Sequence, residues 1–128
     1  MNAKRWVTVI VCGCWMFSAA LCMAAGAQET ARPLLDKLLD AVKANDYDSF
    51  VAEGTSEVKA GLTRQMLEGV SLQMAPRMKK GYDVTYLGEL KQQGCQVTLW
   101  KLAYKDGGDD TLARLTLKDG KVAGFLLQ

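Results

Sequence analysis

From Thr30 onward, apolar residues recur at three- and four-residue spacing. Leu34, Leu35, Leu38, Leu39 and Val42 form one stripe, while Asp36, Lys37, Asp40 and Lys43 take the other side. That period predicts an amphipathic helix buried along one face, with Pro33 suited to its first turn. Asn45-Asp46 ends the run and caps a second helix, in which Tyr47, Phe50 and Val51 make a short stripe before Gly54 stops it. A third helix is predicted after Thr63. There Leu62, Met66, Val70, Met74 and Met78 step by four with Leu67 alongside, so one side is rich in methionine. Pro76 is expected to kink or shorten its end, and Gly81 to close it.

Beyond Gly81 the period falls to two. Turn signals at Gln93-Gly94, at Asp106 to Asp109 and at Asp119-Gly120 divide the remainder into strands at about 82–91, 95–105, 110–118 and 121–127. Connections this short join only antiparallel neighbours, because a parallel crossover needs about a dozen residues. Helices first and a meander afterwards predict an α+β domain, with N-terminal helices packed on a curved four-stranded antiparallel meander sheet. The chain shows no internal repeat, low-complexity segment or linker.

A two-residue Asp119-Gly120 loop pairs Lys118 with Lys121 and so sets the register of the last hairpin. Strict alternation then puts Ala113, Leu115, Leu117, Val122, Gly124 and Leu126 on the helix-facing side. The opposite side carries Leu112, Arg114, Thr116, Ala123, Phe125 and Leu127, which is too apolar for a face left wholly in water. The strand at 95–105 has the same excess, with Val97 and Leu99 on one side and Trp100, Leu102 and Tyr104 on the other. Either a bulge near Leu99-Trp100 returns both sets to one face, or another chain covers the second face.

Composition narrows the class. Met1 to Trp6 is short and basic, Val7 to Ala25 is almost wholly apolar, and Ala25-Gly26-Ala27 precedes the polar Gln28-Glu29-Thr30. This is the pattern of an export signal over residues 1–27 with the domain at 28–128, placed in the periplasm or secreted. An uncleaved anchor is the alternative, and would make the signal segment the one membrane contact. Either way Lys4 and Arg5 stay inside and the domain lies outside. Without those two the chain has 14 basic against 14 acidic residues, and no basic stripe, which argues against nucleic acid. Cys12, Cys14 and Cys22 fall within the signal, leaving Cys95, which opens an apolar strand and reads as packing. About a hundred residues suffice for one core and are short for two.

The chain has no histidine. A Ser-His-Asp triad is therefore impossible, Cys95 lacks the usual base, and zinc, copper or iron sites lack their usual ligands. No G-x-G-x-x-G or G-K-[ST] run offers a nucleotide cradle, and no cofactor is expected. Asp106, Asp109 and Asp110 lack the spacing and closing Glu of a calcium loop. Tyr82 with Asp83 reads as the start of a strand, and Asp46 and Asp48 as caps. Arg114 stands in an otherwise apolar strand, where it holds an anionic group or a partner's carboxylate, or lays its stem over Phe125 in solvent.

The stretch Leu39 to Phe50 with its Asn45-Asp46-Tyr47 corner, the helix ending at Gly81 and the meander finishing Asp119-Gly120-Lys121-Val122-Ala123-Gly124 together resemble the nuclear transport factor 2-like superfamily, a cystatin-like α+β cone, and its short secreted bacterial members. The resemblance spans about residues 33 to 127. It implies a curved sheet wrapped around a long helix to enclose an apolar pocket, and in many relatives a homodimer through the outer sheet face. Walls of such a pocket are expected from Phe50, Met66, Met74, Met78, Tyr86, Trp100 and Tyr104, with Arg114 and Phe125 at a partner interface. The competing reading is that these residues simply fill the core. The superfamily contains binding modules and enzymes alike, and fold alone does not choose between them. The first expectation is an exported, non-catalytic module for a small apolar ligand or a protein partner. The alternatives are a ketosteroid isomerase-like or hydrolase-like enzyme using an inward Asp or Glu with Tyr, and a purely structural assembly piece.

Overall fold

The first helix, α1 (Ser18–Ala44), is longer than its apolar stripe suggests, and Pro33 sits inside it rather than in its first turn. The computed structural model describes residues 18–128, so Lys4, Arg5, Cys12, Cys14 and most of the signal-like run lie outside the described residues. Ala31 and Ala27 continue the buried stripe one and two turns ahead of Leu35, which keeps the helix intact past the proline. Asn45, with φ of 53°, breaks α1 in the left-handed conformation common beyond helix ends.

Asp46 then caps α2 (Tyr47–Ala52), accepting from the Ser49 amide at 3.1 Å and the Ser49 hydroxyl at 2.7 Å. A six-residue helix that the hydrophobic period does not predict, α3 (Ser56–Gly61), follows with Thr55 as its cap. Its one bulky apolar residue, Val58, is too little to establish a period. α4 (Arg64–Lys79) begins at the Thr63 cap and runs through Pro76 to Gly81, whose φ of 104° ends the helical segment.

The sheet is β1 (Tyr82–Gln92), β2 (Cys95–Tyr104), β3 (Thr111–Lys118) and β4 (Lys121–Leu127), antiparallel throughout in the order β1-β2-β3-β4. The α+β architecture expected from the chain is the one observed, and the sheet is curled without closing. Asp119 and Gly120 both have positive φ, 51° and 76°, as a tight two-residue hairpin requires, and Lys118 faces Lys121.

Two bulges revise the face assignments. The pairing of β3 with β4 shifts between Thr116 and Leu117, so Ala123 is the extra residue; beyond it Phe125 opposes Leu115 and Leu127 opposes Ala113. Phe125 and Leu127 therefore pack on the core, and it is Leu126 that is exposed, at 48%. Strict alternation gives the reverse because one inserted residue flips every side chain after it. The second bulge lies at Leu87 on β1, across from the Leu99-Trp100 pair rather than within it. β2 itself alternates, with Thr98, Trp100, Leu102 and Tyr104 buried on the helix side.

On the outer face, Arg114 of β3 donates from Nη2 to Gln92 Oε1 of β1 at 2.6 Å. Its side chain thus spans β2, and Val97 on that face is only 1% exposed. The stem covers β2 rather than Phe125.

Candidate functional site

Among the described residues an apolar groove lies at the side where α2, α3 and α4 meet the free edge of β4. Its volume is about 530 Å³, within the range of roughly 300–1,000 Å³ typical of ligand sites. Val42, Phe50, Leu67 and Val122 belong to the buried core and form its depth. Val58, Gly61 and Leu62 wall it from α3 and the following loop, Met66 and Val70 from α4, and Phe125, Leu126 and Leu127 from β4. None of these side chains is ionisable.

The groove follows from the local sequence. On α4 the buried row is Leu67, Ser71, Ala75 and Met78, so Met66 and Val70 stand one position to the side and remain exposed at 55% and 39%. The four-residue stepping of Leu62, Met66, Val70, Met74 and Met78 is therefore split. Met78 is core, Met74 is partly buried against it, and Met66 faces the groove. On the other wall the Ala123 bulge turns Phe125 inward, where its ring meets Phe50 edge-on at 5.9 Å between centroids.

Polar contacts fix the helical wall. Tyr47 Oη donates to the Leu62 carbonyl at 2.8 Å and ties α2 to the end of α3. Arg64 stacks over the Tyr47 ring at 4.7 Å and reaches Asp48 at 2.9 Å. The Thr55 amide donates to the Val122 carbonyl at 2.9 Å, and the Val122 amide donates to the Glu53 carbonyl at 2.8 Å. This parallel bridge at Gly54 stitches the loop to β4. A Cβ at Gly54 would lie 3.0 Å from Val58 Cγ1 and 3.2 Å from the Val51 carbonyl oxygen, so a larger residue there must push α2 and α3 atoms aside.

Of the residues singled out from the sequence, Phe50, Met66 and Phe125 come together at this groove. The others are placed elsewhere. Trp100 is fully buried, donating from Nε1 to Thr98 Oγ1 at 2.9 Å, with Tyr86 edge-on at 5.0 Å. Tyr104 is buried beneath Arg77, and Arg114 lies on the outer face. The groove residues that period and composition miss are Val58, Leu126 and Leu127. Val58 sits in a helix with no apolar period, and the β4 pair depends on a bulge that alternation does not reveal.

Among the described residues no cluster of His, Cys, Asp or Glu is arranged to hold a metal ion. No helix among them is long and apolar enough to cross a membrane. No family model, curated protein or solved structure matches the chain.

Proposed function

We propose that this chain is an exported interaction module that receives an apolar group of a ligand or protein partner in the groove between α3, α4 and β4. The observation that supports it is the groove's lining, a continuous apolar surface with Met66, Val70 and Leu126 held half-exposed at its mouth. Exposed apolar side chains gathered around a concavity mark binding surfaces, whereas scattered ones mean little. Methionine adds a flexible, polarizable wall that adapts to varied shapes. With no acid or base in the lining, the groove is suited to holding rather than transforming what enters it. The N-terminal basic and apolar pattern supports placement outside the cytoplasm. The helices-on-curled-sheet architecture is compatible with the nuclear transport factor 2-like superfamily, to which we assign the chain on its resemblance.

The test is titration of the full chain with dodecanoate and with an environment-sensitive naphthalene dye, compared with Met66→Lys and Val70→Lys variants. Saturable binding weakened about tenfold or more by either substitution is expected, since a lysine in the lining must desolvate its charge or give up the contact. Equal binding by all three proteins would overturn the reading.

A further inference from the structure

We infer that the groove's occupant is an extended polypeptide segment of a partner, adding as a strand to the free edge of β4. The inference rests on the groove being the binding site and goes further by naming what it binds.

The argument begins with the ladder between β3 and β4. The Leu112 amide donates to the Gln128 carbonyl at 2.7 Å and the Gln128 amide donates to the Leu112 carbonyl at 3.0 Å, so these two form a mutually bonded pair. Antiparallel pairs alternate between bonded and non-bonded. Ala113 with Leu127 and Leu115 with Phe125 are then non-bonded pairs, and the amides and carbonyls of Leu127 and Phe125 point away from β3. Val122, in the same phase, points the same way, and its outward groups are the ones that bond Glu53 and Thr55. Among the described residues, Phe125 and Leu127 have no such partner. The Glu53–Thr55 segment thus makes a single parallel bridge to this edge before α3 turns away.

Unpaired strand groups beside an apolar groove specify the occupant more closely than the apolar lining alone does. A lipid tail would fill the groove and leave four backbone groups without partners. An extended peptide satisfies both, with main-chain bonds along the edge and alternate side chains directed into the groove. The opposite edge of the sheet is protected in the usual way, since β1 exposes Asp83, Glu89 and Lys91. Phe125-Leu126-Leu127 has no charge and no proline to guard it. At its Val122 end this edge is already taken by the Glu53–Thr55 bridge, with α3 packed beside it, so the free length at Phe125–Leu127 is short and suits one added strand.

The experiment uses the full chain and a capped nonapeptide alternating leucine or valine with threonine or serine, in three forms: unmodified, N-methylated at the apolar positions, and N-methylated at the polar positions. Saturable binding of the unmodified peptide is expected, with one of the two methylated forms weakened about tenfold or more, because only one edge of the peptide pairs with β4. Amide exchange at Phe125 and Leu127 should slow on binding. Leu127→Pro, which removes an outward donor without touching the ladder, should abolish the effect; if that variant does not fold, Met66→Lys reads out the same site. Equal binding by both methylated forms, or unchanged exchange at Phe125 and Leu127, would overturn the inference. Binding of dodecanoate without binding of the peptide would overturn it while leaving the groove as a binding site. Protection of these amides in peptide-free protein together with a doubled mass would overturn it in favour of a second copy. Failure of every probe would remove the groove reading itself.

Discussion

Arg77 places its guanidinium carbon 3.9 Å from the centre of the Tyr104 ring while its Nε reaches Asp106 at 2.9 Å and its Nη2 reaches the Asp109 carbonyl at 2.7 Å. One side chain on α4 thus covers a core aromatic and holds the β2–β3 loop. Its partner Asp106 is largely shielded, with 16% of its side chain exposed. Replacing Arg77 by alanine should lower the melting temperature by several degrees and loosen the loop, whereas Arg77→Lys should recover only part, because an ammonium lacks the planar fork that stacks and bonds at once. Thermal unfolding with amide exchange at residues 106 to 110 checks both.

The phenol beneath behaves differently. Tyr104 Oη is buried with no hydrogen-bond partner in the protein. An unpaired buried hydroxyl contributes a desolvation cost and no bond, so Tyr104→Phe should leave stability unchanged or raise it by about 1 kcal/mol. A loss of stability in denaturant titration would show that the hydroxyl has a partner, such as a buried water.

Trp100 and Thr98 make the opposite case. The indole Nε1 donates to Thr98 Oγ1 at 2.9 Å, and Thr98 Oγ1 donates to the Leu115 carbonyl at 3.4 Å, both within the core. Thr98→Val keeps the shape and strands the indole donor, at an expected cost of about 1–3 kcal/mol. Denaturant unfolding followed by tryptophan fluorescence measures it, and a shifted emission should accompany the lost bond.

Acid should weaken the fold through Asp106. Its carboxyl is held below the ordinary value of 3.8, first by the Arg77 hydrogen bond and then by the Gly108 amide. The native state therefore binds fewer protons than the unfolded chain near that pH. Its stabilising effect is complete above 3.8 and is lost as pH falls through the depressed native value. Asp106→Asn should be less stable than the parent at pH 7, and the gap should narrow as pH falls below 3.8 through the depressed native value. A gap that does not narrow at all with falling pH would assign the effect to shape rather than charge.

Much of this architecture is legible in the chain because its signals are local. The Leu35, Leu38, Leu39 and Val42 stripe, the Asn45-Asp46 corner and the Asp119-Gly120 hairpin each specify their own geometry through period, capping or turn chemistry. What is not legible is non-local. Pro33 reads as a helix start until Ala27 and Ala31 prove to be buried ahead of it. Met66 and Met78 share a spacing, yet one faces a groove and the other the core, because the α1 contact selects a neighbouring row of α4. The groove itself depends on which way Phe125 faces, and strict alternation misreads that because it counts Ala123 as a paired residue when it is the bulged one.

That dependence yields a prediction about deletion. Ala123 is the unpaired residue between Val122, which faces Leu117, and Gly124, which faces Thr116. Removing it leaves every observed partner in place, with Phe125 still opposite Leu115 and Leu127 still opposite Ala113. The chain should therefore fold without Ala123 at a cost of about 1–3 kcal/mol, for the lost local twist and a strained Gly54 bridge. Removing Thr116 from the regular ladder of β3 should instead reverse one half of that strand, turning either Leu117 or Leu115 and Ala113 out of the core, and should abolish folding. Circular dichroism and thermal unfolding of the two deletions provide the comparison. If deletion of Ala123 were as damaging as deletion of Thr116, the bulge would be doing more than adding a residue, and the inward setting of Phe125 would rest on the extra twist it imposes on β4.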